Sequence, residues 1–303
     1  MCAMKKPYVV LFISIVSVSF ASIFILLCDA PPLSIAFYRL FFTTLLVLPL
    51  LLLRQKTRHE LRQLPKSSWL IMAIIGLILA AHFALWITSL TKTSVASSVI
   101  LVTAHPIIVA PISYVFLREK LSPLNAFGVS LSVAGVIILV FGNYGFSGLA
   151  LDTFEGNVLA WSGGVCAGLY ILGGRFLRKS ISIFTYAFIV YAIGTVALFG
   201  IGLAFQAPVF GLRMQDYGII LVMALVSGVF GHTLYNWSLG YIRASVASVA
   251  LLGEPIGSSL LAFVIFGAAQ QPSLFTILGG AIILIGVYLT ARTMRKTDLL
   301  ENV

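Results

Sequence analysis

Polar side chains are scarce in this chain of 303 residues, and those standing inside long apolar runs are the first candidates for chemistry. Arg39 and Glu254 carry opposite charges, His82, His105 and His232 add three imidazoles, Asn236 and Gln206 add carboxamides, and Tyr38, Tyr170, Tyr186 and Tyr235 add phenols. Glu254 lies in Gly-Glu-Pro-Ile-Gly (253–257), where Pro255 removes a helix hydrogen bond and the glycines admit a close neighbour. A carboxylate beside such a kink has two readings. It meets a solute's ammonium group or takes part in proton coupling, or it is a structural group that fixes helix packing. Arg39 either faces a cavity and meets a carboxylate, with Glu254 or Asp29 as the partner within the chain, or snorkels to the outer headgroups. For each histidine the default is a hydrogen-bonded core residue. No histidine pair stands at i, i+4 with a carboxylate, so no metal site is expected. Walker, dinucleotide, nucleophile-elbow and H-E-x-x-H patterns are absent, which leaves no cofactor and no familiar hydrolase to expect. Cys2, Cys28 and Cys166 have no paired spacing. The candidate substrate-contacting residues are Arg39, Glu254, Tyr38, Tyr186, His82, His105, His232, Tyr235 and Asn236.

These groups need elements that hold them in lipid. Hydrophobic residues make up 60% of the chain and charged ones 9%, with mean hydropathy +1.09, too little polar surface to coat a water-soluble globule of this size. About 20 apolar residues of helix cross a hydrocarbon layer. Apolar runs fall at 8–27, 33–53, 69–90, 95–117 and 124–141, then at 156–176, 183–205, 217–239, 244–266 and 274–290. The expected fold is an all-α integral membrane protein of ten transmembrane helices, the first of them uncleaved. Trp86, Trp161 and Trp237 fall near predicted helix ends and read as interfacial anchors.

The formal charge of +10 does not point to nucleic acid, because the cations sit in short loops with no aromatic stacking partners. Sixteen of the 19 basic residues fall at the termini and in alternate loops, against two, Lys92 and Arg213, in the loops between. That bias places both termini in the cytoplasm and demands an even number of crossings.

The chain also matches itself. Ser-Val-Ala-Ser at 94–97 recurs at 245–248, Pro106 as Pro255, Gly128 and Gly135 as Gly279 and Gly286, Tyr38 as Tyr186, and His82 as His232. The match sets His105 opposite Glu254, each just before a mid-helix proline. Five crossings per copy is an odd number, so residues 1–145 and 146–303 form two inverted repeats around a central cavity. Two such halves can exchange conformations and expose a central site to either side, which favours transport by alternating access. One intramembrane arginine is poor provision for a sugar phosphate, so the expected cargo is a small neutral or zwitterionic solute. An uncoupled facilitator and a membrane-embedded enzyme acting on lipid-linked substrates are the alternatives.

With these residues in view the chain resembles the EamA-type permeases of the drug/metabolite transporter superfamily. The resemblance is carried by Arg39, by residues 94–97 running into Pro106, by Leu-Arg-Glu-Lys-Leu (117–121), and by Val246-Ala247-Ser248 running into Glu254-Pro255. It implies exporters of amino acids and other small metabolites in the cell membrane. The sequence departs from the family's Leu-Gly-Glu-type turn after the ninth helix, having Phe-Gly-Ala-Ala-Gln (266–270) there. The partners expected are the small solute and the lipid bilayer; a homodimer is left open.

Overall fold

The computed structural model describes residues 6–93, 98, 101–119, 122–144, 154–267 and 273–292. The repeat motif at 94–97, the cations Lys5, Lys120, Arg295 and Lys296, Cys2, most of the seam between halves and the turn at 268–270 lie outside the described residues.

In hydrocarbon every backbone polar group must be satisfied within the chain, so the apolar runs close their own hydrogen bonds as helices. The elements are α1 (Lys6–Leu26), α2 (Pro32–Leu52), α3 (Gln55–Gln63), α4 (Lys66–Ser89), α5 (Pro106–Phe116), α6 (Pro123–Tyr144), α7 (Phe154–Leu177), α8 (Ile183–Ala204) and α9 (Met214–Met223). A π-helical segment, Ala224–Thr233, continues α9 into α10 (Leu234–Ser238); α11 (Ala244–Ala250), α12 (Gly253–Phe266) and α13 (Leu274–Arg292) follow. Prolines open α2, α5 and α6, where the missing N–H costs nothing. Ser122 and Asn125 cap α6 reciprocally: Asn125 N–H donates to Ser122 Oγ at 3.2 Å and Ser122 N–H to Asn125 Oδ1 at 3.1 Å.

Helix occupies part or all of each expected apolar run. Among the described residues seven helices are long and apolar enough to cross a membrane, and three shorter ones, Leu101–Phe116, Pro123–Ile138 and Leu274–Thr290, are also apolar. Large apolar side chains such as Val196, Phe205 and Val264 stand more than 70% exposed, as lipid-facing residues do. Three features differ from the sequence reading. The connection at 54–68 is not a plain loop but contains α3, whose Thr57, Glu60, Leu61 and Leu64 face the protein at helical spacing. The kinks expected at Pro106 and Pro255 are breaks, with turns at 104–105 and 251–252. And the helix carrying His232 is π-helical just before and through that residue.

The helices pair in a regular way. The longest contact joins α6 to α13, α2 packs on α8, α4 lies against α7 and α8, and the π-helical segment lies against α1 and α2. At the α6–α13 seam the repeated glycines cross over. A Cβ on Gly128 would meet Gly286 O at 2.8 Å, and one on Gly135 would meet Gly279 O at the same distance. Backbone cannot retreat there as a side chain can, so the seam tolerates no methyl group. Gly128→Ala should therefore cost roughly 1–3 kcal/mol, the overpacking range. Chemical denaturation of the purified protein checks it; an unchanged midpoint would mean that the seam can spread.

Candidate functional site

The charged centre is built where α2, α4, α8 and the π-helical segment meet. Arg39, about two turns into α2, is 2% exposed. Its Nη2 donates to His232 Nε2 at 3.0 Å, and its guanidinium carbon lies 4.6 Å from the centre of the Phe83 ring, a cation–π contact. Nη1 has no partner among the described residues. A small cavity of about 10 Å³, room for about one water, opens beside it, lined by Arg39, Thr43, Phe83, Tyr191, Gly228 and His232 among others. The π-helical segment comes this close because Gly228 has no side chain; a Cβ there would lie 2.1 Å from Thr43 Oγ1.

Arg39 thus faces inward and does not snorkel. Its partner within the chain is neither of the carboxylates expected. Asp29 is occupied elsewhere: it pairs with Arg213, and its N–H donates to Asp216 Oδ1 at 3.1 Å. Glu254 is the second residue of α12, where the helix dipole favours a negative charge. It lies within electrostatic reach of Arg39, but no described residue hydrogen-bonds or ion-pairs with its carboxylate. α12 is fixed there by α1: Ser258 Oγ donates to Ser19 O at 3.0 Å, and a Cβ on Gly257 would fall 2.3 Å from Ser19 Oγ.

The histidines divide. His232 belongs to the centre, whereas its repeat counterpart His82 donates Nδ1–H to Gly163 O on α7 at 2.9 Å and stacks on Trp86. The repeat position matching Arg39 is Ala187, so His82 has no arginine to meet and turns to a carbonyl instead. Trp86, half-buried near the end of α4, packs against the core with its indole N–H unpartnered among the described residues. His105 is buried in the turn before α5, and its Nδ1 is likewise unpartnered.

A neutral polar network adjoins the centre. Asn236 Nδ2 donates to the hydroxyls of Tyr170 and Tyr191, the latter at 3.1 Å, and the Tyr191 hydroxyl also contacts Thr233 Oγ1 at 3.3 Å. Tyr186 and Tyr235 are buried, their hydroxyls and Asn236 Oδ1 unpartnered among the described residues. Tyr38 stands apart from this group. Its hydroxyl donates to Val209 O at 2.5 Å and touches Tyr217, so it seals the end of α2 and does not line the cavity. Gln206 ends α8 with a positive φ of 55° and no site contact. Tyr191, Phe83 and Thr43 were not among the sequence candidates. A signal existed for two of them, since Thr43 and Tyr191 occupy equivalent positions in the Tyr38/Tyr186 alignment of the repeats.

Both ends of the centre are closed by ties between the halves. At one end Glu119 accepts Arg175 Nε–H at 2.8 Å and the Ala244 N–H at 3.0 Å, while Arg175 Nη1 donates to Leu239 O at 2.9 Å. At the other Arg213 joins Asp29 and Asp216, and Lys92 meets Glu155 at 2.9 Å. Cys28 adds its thiol to Asp216 at 3.5 Å; burial, aided by that carboxylate, pushes it up to about 11, so it stays an unreactive thiol at neutral pH. No group of three or more metal-ligating side chains occurs among the described residues.

Helices that turn apolar faces outward around an arginine centre make this a multi-pass membrane protein with an internal polar site. The chain belongs to the EamA-like transporter family, whose model matches twice, at residues 5–141 and 154–292. It is 28% identical over 279 residues to an uncharacterized transporter of Archaeoglobus fulgidus, covering 90% of this chain and 92% of that one. It is 23% identical over 233 residues to the uncharacterized transporter YyaM of Bacillus subtilis, covering 75% and 74%. A solved crystal structure superposes with a TM-score of 0.79 at 18% identity, over 96% of this chain and 98% of that one, which establishes the shared fold. The protein is a membrane transporter.

Proposed function

We propose that the chain carries small zwitterionic metabolites such as amino acids by alternating access, as an exporter in the cell membrane, through ten spans arranged as two inverted repeats. The carrying observation is the Arg39 guanidinium: buried, one nitrogen on a neutral imidazole, the other free among the described residues, and no carboxylate in contact. A buried cation without a counter-ion is costly, and a substrate carboxylate supplies one. Glu254, whose carboxylate has no partner among the described residues, serves the substrate's ammonium group. A single cation suits one carboxylate better than a phosphate.

The helix pairing supports the inverted layout. If each helix of the first half is exchanged for its counterpart in the second, α6–α13 and α2–α8 map onto themselves. The α4 contacts with α7 and α8 become the contacts of the π-helical segment with α1 and α2. Gly128 against Gly286 becomes Gly279 against Gly135, as a two-fold axis in the membrane plane requires. With ties at both ends and a cavity near one water in size, the conformation fits an occluded carrier. The basic loops support cytoplasmic termini.

The test is solute counterflow in proteoliposomes over a panel of amino acids, with and without a pH gradient. Accumulation of labelled amino acid against an unlabelled internal pool is expected. Flux without counterflow would give an uncoupled channel-like facilitator, and uptake restricted to phosphorylated solutes would overturn the assignment of the cargo.

A further inference from the structure

Among the described residues a cluster of cations without ion-pair partners outside the centre lies on α3 and its flank. This helix connects two membrane-length helices, α2 and α4, so it lies at the end of the bundle, where lipid-exposed Leu53, Trp69 and Leu70 mark the hydrocarbon edge beside it. Its inner face is engaged. Glu60 accepts the Ser182 N–H at 2.8 Å and the Thr185 hydroxyl at 2.6 Å, which ties α3 to the first turn of α8, and Arg54 stacks 4.6 Å over the Phe184 ring of the same turn. Its outer face and flank present Lys56, Arg58, Arg62 and Lys66, all exposed and with no ion-pair partner among the described residues. Glu60 is the acidic residue of this stretch, and its carboxylate is already spent on α8.

We infer that the outer face of α3 is a docking surface for anionic phospholipid headgroups of the adjoining leaflet. Charge complementarity and position select the occupant. Cations held at the hydrocarbon edge meet lipid phosphates at high local concentration, and each adds to the attraction of an anionic leaflet. Arginine forks suit phosphate oxygens. Because Glu60 and Arg54 fasten the same helix to the start of α8, a headgroup on the outer face holds α8 in place from outside, and α8 supplies Tyr191 to the centre. The lipid acts here as a structural effector and not as cargo, so the inference stands apart from the assignment of the substrate.

The experiment uses native mass spectrometry and thermal unfolding of the full chain in detergent, titrated with phosphatidylglycerol or phosphatidylcholine. Phosphatidylglycerol should be retained several-fold more than phosphatidylcholine and should raise the unfolding temperature. Arg58→Gln, Arg62→Gln and Lys66→Gln together should abolish both preferences, while Arg58→Lys with Arg62→Lys should keep them. Neutralising Lys92 at the opposite end is the control and should change neither. Equal retention of phosphatidylglycerol by the triple variant would overturn the inference. So would full displacement of the lipid by inorganic phosphate, which would make this a soluble-anion site.

Discussion

Replacing Arg39 by methionine should abolish counterflow of amino acids, by roughly 100-fold or more, while leaving the folded protein as stable as before or more so. The two halves of this expectation come from the same geometry. Arg39 is taken out of water almost completely, and in return it makes one hydrogen bond to a neutral imidazole and one cation–π contact. Those returns, ~1.5–3 kcal/mol for a hydrogen bond to a charged group and ~2 kcal/mol for a desolvated cation–π contact, at most offset the several kcal/mol of desolvating a guanidinium. An apolar side chain of similar length fills the space without that cost. A residue kept at the expense of stability is kept for what it binds, and a substrate carboxylate lost from a desolvated site costs a charge-assisted hydrogen bond or two. Thermal unfolding and counterflow on the same preparation separate the readings. A fall in melting temperature that tracks the loss of transport would make Arg39 a packing residue and sink its role in binding. His232→Gln, which keeps an acceptor near Nη2, should be milder on both measures.

The elements of this fold were legible because the solvent is lipid. Runs such as 33–53 and 183–205 lie within a residue of α2 and α8, since in hydrocarbon the chain has almost no choice but helix. The repeated glycines marked the halves as copies without saying what they touch; the crossover of Gly128 onto Gly286 needed the three-dimensional seam. What escaped the sequence was local. Whether a proline kinks or breaks a helix depends on neighbours, and the breaks before Pro106 and before Glu254 are turns that no spacing announces. The π-helical run at Ala224–Thr233 is likewise invisible in composition. At the site, Arg39 and His232 were both in view, yet their partnership was not. The rise along straight helices gives a residue's depth but says nothing of rotation about the axis, which decides that a neutral imidazole comes nearest. Tyr38 misled for a related reason. Its equivalence with Tyr186 is real in sequence, but the segment at 208–209 folds over Tyr38 and takes its hydroxyl, whereas the other end of the molecule uses Glu60 on Ser182 and Thr185 and leaves Tyr186 without a hydrogen-bond partner among the described residues.

Glu119 should prove the costliest single carboxylate to remove. It leaves α5 through Arg118, whose φ of 53° turns the chain back, and the Glu119 N–H closes on Ser113 O at 3.1 Å. The side chain, 4% exposed, then reaches across to the second half, holding both Arg175 and the first N–H of α11. Glu119→Ala strips a buried guanidinium of its counter-ion and leaves the Ala244 N–H without an acceptor. The expected loss is ~3–5 kcal/mol. Most of that loss is the penalty of the stranded charge and not the worth of the bond. The double variant Glu119→Leu with Arg175→Met, which removes both partners, should therefore recover most of the stability. Transport separates the tie from the fold. If Glu119 and Arg175 close one end of the carrier, the stable double variant should be biased open there. A cysteine placed at Asn236, fully buried in the present conformation, should then react with a membrane-impermeant reagent at least several-fold faster than in the parent. Stability recovered with no gain in labelling would reduce the pair to a structural contact and move the gate elsewhere. Recovery with labelling would identify this end as a gate on the side that the basic loops face, the side from which the proposed exporter loads its solute.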